Sequence, residues 1–344
     1  MHKVFYHLRN IRAVTTGQFP FPIHFVVGLT TRCNHRCKWC SVLGYSHADK
    51  TDIDLEALLA SLRRGKRHGL KAVTYVGQGE PLLYNDFPML VREVSKIDLE
   101  QACFTNGALL HQHKRTILEN FLWLRVSLDA ADREQHRDIH GVTNDFEKIV
   151  ETLSAMIQER GARKSPTIGV QYGLHQATLS KMSKAAKVSK KIGVDYFSIK
   201  PIYNRGAVGK TIEKNNLTSE LIRHELHETL SLADESFDVY YKPYQFELMD
   251  NPDRFSRHYD KCYGPHFEWH IFENGDVMIC GPLRLKLGNL HEHSIEDLWN
   301  SAYYRALVKN INIDTCYKGC RAHPLNELLW DLENPKKENH INFV

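Results

Sequence analysis

Residues 24–40 read HFVVGLTTRCNHRCKWC, a short apolar run followed by three cysteines inside eight residues. The run at 24–29 has the length and composition of a buried parallel strand, so the cysteine loop follows a strand end. No fourth cysteine lies nearby. Structural zinc closes its tetrahedron with four protein ligands, and an iron–sulfur cubane usually takes four thiolates. Cys33, Cys37 and Cys40, at x3 and x2 spacing, therefore make a metal nest with one corner left open.

Beyond the loop the chain alternates. Leu55, Leu58, Leu59 and Leu62 stand at i, i+3, i+4 and i+7, one stripe of an amphipathic helix over 54–69 that ends in glycine. Strand patterns recur at 72–76, 102–105, 124–128, 168–174 and 196–200, with helical patterns at 87–97, 114–121, 146–160 and 179–192. Six β/α units in succession predict parallel strands joined by right-handed crossovers, with ligands at the carboxyl ends of the strands. The chemistry-bearing residues fall at those ends: the cysteine triplet, then Gly77-Gln78-Gly79-Glu80-Pro81, Thr105-Asn106-Gly107, and Ser127 with Asp129. After Pro201 the alternation stops, 204–216 reads as a polar connector, and 217–233 as one more helix.

The 344 residues are 42% hydrophobic with a formal charge of +4. Lys181, Lys184, Lys187 and Lys191 recur at helical spacing opposite apolar positions, a solvated helix face, so no nucleic-acid partner is expected. The N-terminus lacks a signal-peptide core and no apolar run is long enough for a membrane span, which predicts a cytoplasmic protein without a membrane partner. In a reducing compartment cysteines more often bind metal or do chemistry than pair as disulfides. Seven of the eight fall in two groups, the triplet and Cys262, Cys280, Cys316 and Cys320.

The triplet, with Trp39 before its last cysteine, resembles the C-x3-C-x2-C signature of the radical S-adenosylmethionine (radical SAM) superfamily. That resemblance implies a partial (β/α)6 barrel and a [4Fe–4S] cluster on Cys33, Cys37 and Cys40, whose open iron is chelated by S-adenosylmethionine. Gly77, Gly79 and Glu80 resemble the family's G-G-E-P segment, which receives the cofactor's ammonium, although Gln78 is inserted. Asn106, Ser127 and Asp129 match the following strand segments and are implied cofactor contacts. Where relatives often carry arginine before Gly141 this chain has His140, and Arg137 is the candidate substitute. Gln171 is a candidate adenosine contact, shared with ordinary barrel filling. Lys200 is a candidate substrate contact, since an ammonium at an inner strand end needs an anionic partner. Cys103 reads most simply as a buried small hydrophobe; facing inward, it would be able to donate a hydrogen atom. The bland reading of the triplet is a zinc site or an inert thiol cluster.

Near the end, FENGDVMIC at 272–280 predicts a β-hairpin about Asn274-Gly275. The segment GNLHEHSIEDLWNSAYYRAL is similar to the SPASM and twitch extensions of radical SAM enzymes. That likeness implies one auxiliary [4Fe–4S] cluster on the four late cysteines, against a zinc site that the spacing alone also permits. The expected layout is an N-terminal arm (1–22), the barrel (23–210), a connector (211–255) and the auxiliary domain (256–344).

The resemblance implies reductive cleavage of S-adenosylmethionine to a 5′-deoxyadenosyl radical that abstracts hydrogen from a substrate. A one-electron reductant such as flavodoxin or ferredoxin would serve the first cluster, and the auxiliary cluster would take part in electron transfer, with oxidation favoured over epimerisation or carbon–carbon bond formation. Only about twenty residues precede the first strand, so a small, sugar-like or aminocyclitol substrate is expected first and a ribosomal peptide second. A zinc-stabilised binding protein without catalysis is the alternative class.

Overall fold

The computed structural model describes residues 3–40, 50–202, 217–250, 257–316 and 319–335; the predicted connector at 204–216 and the tail at 336–344 lie outside the described residues. Ten strands form one sheet in the order β10-β9-β8-β1-β2-β3-β4-β5-β6-β7. They are β1 (His24–Val27), β2 (Ala72–Tyr75), β3 (Glu100–Thr105), β4 (Trp123–Ser127), β5 (Thr167–Leu174), β6 (Tyr196–Pro201), β7 (Asp238–Tyr240), β8 (Glu268–Ile271), β9 (Asp276–Cys280) and β10 (Leu285–Asn289). Every pair from β8 through β7 is parallel, while β9 and β10 return antiparallel. The six strands read from the sequence are all present and form the partial barrel.

Two strands extend it beyond expectation. The three-residue β7 pairs with β6, and β8 pairs with β1 in the register His24↔Glu268. The hairpin at Asn274-Gly275 forms as predicted, with Gly275 at φ +81°, but its first arm continues the barrel sheet rather than starting a separate one.

Alternation along the strands sorts the two faces. Phe25, Val73, Leu124, Val170 and Phe197 point to the helical layer and join one core with Leu58, Leu90, Ile117 and Leu153. The opposite set, His24, Thr74, Phe104, Arg125, Ser127, Gln171, Ser198 and Lys200, stays outside that core and is far more polar. Burial therefore covers one face and leaves the other for chemistry.

Helix α1 (Leu8–Thr15) packs back on the chain's far end, where Val4, Val14, Tyr263, Phe267 and Leu329 make a second, small core. Helix α2 (Leu55–His68) begins at Asp54, whose carboxylate accepts from Ala57 N (2.7 Å), and ends at Gly69 with φ +109°. Such a cap contributes about 1 kcal/mol and fixes where the return from the cysteine loop turns helical.

Candidate metal centres and cofactor site

The cysteine loop is held from both sides by backbone contacts. Asp52 accepts from Thr30 Oγ1 and from Arg32 Nη2, each at 2.5 Å, and anchors its entry. Glu80 N donates to Arg32 O (2.8 Å), and a Cβ on Gly79 would stand 2.2 Å from that same oxygen, so only glycine permits the approach. On the other side Arg36 N donates to His140 O (2.8 Å) and Lys38 N to Ile139 O (2.9 Å), at the end of α3 (Arg133–His140). Gly141, at φ +68°, sits where a Cβ would be 3.1 Å from Arg36 O.

Glu80 is 3% exposed and its carboxylate is engaged by Thr105 Oγ1 (2.6 Å), Asn106 N (2.7 Å) and Leu82 N (3.1 Å). Burial pushes its pKa up to about 7 against those three donors. The carboxylate thus ties the end of β2 to the end of β3. Asn106 Nδ2 in turn donates to Asn34 Oδ1 (2.7 Å) inside the cysteine loop. Asp129, at φ +50°, accepts from Gly173 N (2.5 Å) and joins the ends of β4 and β5; burial raises its pKa to about 6.

His140 stands at the loop itself. Its Nε2 lies 3.0 Å from Leu128 O, which can only accept, so Nε2 carries the hydrogen and Nδ1 faces Cys37 Sγ (3.2 Å) and His35 Nδ1 (3.3 Å). His35 Nε2 reaches Asp145 (3.0 Å), and His136 stacks on His140 at 4.3 Å. Burial, followed by the charges of His136 and His35, lowers the His140 pKa well below the ordinary value. Arg137 does not reach this site: it is exposed and paired with Asp138 (3.0 Å).

Trp39 packs against the His175 ring at 5.3 Å. Ser127 and Gln171 are neighbours in register on the polar face, with Lys200 opposite Gly173 one strand over. Cys103 faces the other way. It shares its strand face with Gln101, which donates to Val91 O (3.0 Å) in the helical layer, and lies in the hydrophobic core. The inward orientation needed for hydrogen donation is absent.

The late cysteines also converge. Cys262 and Cys280 each lie within electrostatic reach of Cys316 and Cys320. Asn326 accepts from Tyr263 N (2.9 Å) and directs Nδ2 at Cys262 Sγ (3.8 Å), while Arg257 donates to Ile313 O (3.0 Å) and Cys316 O (3.1 Å). Burial first, then neighbouring charges, pushes Cys33 and Cys280 up to about 11 and Cys262 to about 12. Thiols so placed become thiolates when a metal supplies the positive charge, and both donor sets fit iron–sulfur ligation in that sense.

Two features escaped sequence reading. Glu273, 2% exposed in the β8–β9 turn, accepts from Gln78 N (2.8 Å), and its Oε1 lies 2.3 and 2.4 Å from where Cβ atoms on Gly28 and Gly77 would stand. The glycine at 77 therefore admits a carboxylate from the auxiliary segment. The partners are 195 residues apart, and no local signal links them. The His35–His136–His140 cluster did leave a trace, since His136 and His140 are i and i+4 on one helix.

Comparison with known proteins bears on both halves. The radical SAM superfamily model matches residues 27–187, and the SPASM model, an iron–sulfur cluster-binding domain, matches 262–322. A probable GTP 3′,8-cyclase from Methanocella arvoryzae is 30% identical over 132 residues, 38% of this chain and 42% of that protein. The chain thus spans less than half the length of that relative and about half (51%) of a second such cyclase. The PqqA peptide cyclase of Xanthomonas oryzae pv. oryzae is 22% identical over 335 residues, 90% of this chain and 82% of that protein. The crystal structure of Streptococcus suis SuiB bound to S-adenosylmethionine superposes with a TM-score of 0.67 at 17% identity, covering 93% of this chain and 77% of SuiB, a likeness of fold.

An open three-thiol nest at the end of the first strand of a parallel partial barrel, with a second thiol set beyond it, is the arrangement of a radical SAM domain followed by an auxiliary one. This chain carries a radical SAM domain over 27–187 and a SPASM-type auxiliary domain over 262–322. Its cofactors are accordingly a [4Fe–4S] cluster with S-adenosylmethionine and auxiliary iron–sulfur. Among the described residues no helix is long and apolar enough to cross a membrane.

Proposed function

We propose that this radical SAM enzyme acts on a peptide. The observation that carries the reading is alignment length. The PqqA peptide cyclase aligns over 90% of this chain, whereas the GTP cyclase alignment stops at 38%. This favours the second substrate expectation over the sugar-like first one.

Cys33, Cys37 and Cys40 would hold the first cluster and Cys262, Cys280, Cys316 and Cys320 the auxiliary one. When bound, the first cluster and S-adenosylmethionine would supply one-electron radical chemistry there. The chain's own residues position and shield that chemistry. Glu80, Thr105 and Asn106 lock the ends of β2 and β3 together, and Asp129 holds the β4–β5 rim. Ser127 and Gln171 would offer a hydroxyl and an amide from paired positions on the polar face, where the rings of Phe104, Trp123 and Tyr196 surround Arg125.

Anaerobic reconstitution tests the reading. About eight irons with matching sulfide per chain, and 5′-deoxyadenosine carrying deuterium from a labelled peptide, are expected. A colourless, zinc-loaded chain, or deuterium arriving from sugars and never from peptides, overturns it.

A further inference from the structure

Residues 77–80, which resemble the segment that receives the ammonium of S-adenosylmethionine, hang between two supports. On one side Glu80 N donates to Arg32 O (2.8 Å) in the cysteine loop, and on the other Gln78 N donates to Glu273 Oε1 (2.8 Å). Glu273 lies in the turn between β8 and β9, inside the SPASM match at 262–322. One side chain of the auxiliary domain thus reaches the end of β2.

The turn that carries Glu273 is braced. Gly28 N donates to Ile271 O (2.8 Å), which takes the β1–β8 pairing one residue past β1. Phe272 N donates to Asp276 O (2.8 Å), Gly275 N to Phe272 O (2.9 Å), and Asn289 Nδ2 of β10 to Asn274 O (3.0 Å). From this frame the Glu273 side chain crosses Gly28. The three atoms nearest to a Cβ on Gly28 would be Glu273 Oε1 (2.3 Å), Cδ (2.6 Å) and Oε2 (3.2 Å), and a Cβ on Gly77 would stand 2.4 Å from the same Oε1. Two glycines make the slot, and the carboxylate fills it. Burial raises the Glu273 pKa, against the Gln78 amide. An apolar side chain would fill such a slot at less cost, so what the glutamate adds is an acceptor for Gln78 N. The peptide unit is planar and trans, so fixing that N–H also turns the Gly77 carbonyl to the opposite side.

We infer that Glu273 is a positioning residue that holds the Gly77–Gln78 peptide in the orientation that receives S-adenosylmethionine, so that the auxiliary domain completes the first cofactor site. The inference rests on the radical SAM reading and is independent of the peptide substrate.

Anaerobic calorimetric titration of S-adenosylmethionine into iron-reconstituted protein tests it. Glu273→Gln keeps an acceptor of the same reach and should bind within about threefold of the unaltered protein, while Glu273→Ala should bind about tenfold more weakly. Gly28→Ala should weaken binding by a similar factor, because its Cβ displaces the carboxylate. Combined with Glu273→Ala, where the atoms it would meet are gone, the same change should cost less than about twofold. Iron at about eight per chain reports that each variant assembles. If Glu273→Ala loses iron, Glu273→Asp, one methylene short of Gln78 N, takes its place. A glutamate that only stabilised the fold would lower iron content or the unfolding midpoint and leave the Kd of assembled protein unchanged. Binding by Glu273→Ala within about twofold of the unaltered protein, a glutamine variant as weak as the alanine one, or an equal cost of Gly28→Ala in both backgrounds overturns the inference. Absence of S-adenosylmethionine binding by the unaltered protein would count against the radical SAM reading instead.

Discussion

The two cysteine nests reach the same end by opposite routes. Cys33, Cys37 and Cys40 lie within eight residues on one loop, wedged by backbone contacts to Glu80, Ile139 and His140. Cys262, Cys280, Cys316 and Cys320 come from distant segments, drawn together by a hairpin, the Arg257 contacts and Asn326. The first nest is preorganised by local chain geometry and supported by the large core. The second is split between cores, with β9 on the large one through Val277 and Ile279 and the Cys262 segment on a small satellite of five buried residues, so metal ligation should carry more of its stability.

That contrast can be broken at several points. Cys33→Ala or Cys40→Ala should take 5′-deoxyadenosine release to background while iron falls from about eight to about four per chain; release that persists would detach the triplet from the chemistry. Cys316→Ala should also lose about four irons yet keep part of the S-adenosylmethionine cleavage while blocking peptide product. Full turnover by that variant would remove the auxiliary nest from the mechanism.

Smaller effects sharpen it. Gly79→Ala forces a Cβ to 2.2 Å from Arg32 O, and a loss of about 1–3 kcal/mol or more is expected in denaturant unfolding. At the second nest a Cβ on Gly264 would meet Cys262 Sγ and Ala322 Cβ at an ordinary 3.5 Å, so Gly264→Ala should cost about 0.5 kcal/mol or less. Equal losses would mean that the two nests are built alike.

Much of this was legible before any coordinates. Short apolar runs and 3.6-residue patterns placed six strands and their helices because each is buried against one core, and the ends of those strands carried the motifs. Arg137 was misplaced because sequence proximity to Gly141 says nothing of which side of a short helix meets the loop; His140 takes that position. Cys103 resolved to the helical side, since a strand's inward register depends on what packs on it.

The sequence by itself determined the parallel architecture, the two thiol sets and the open corner of the first, because spacing along the chain sets which ligands a single loop can bring to one metal. Tertiary packing alone decided that β8 continues the barrel sheet and that Glu273 seats against Gly28, Gly77 and Gln78. Those contacts join residues tens to hundreds of positions apart. They exist only once burial of the shared apolar face has fixed the register of the strands that carry them.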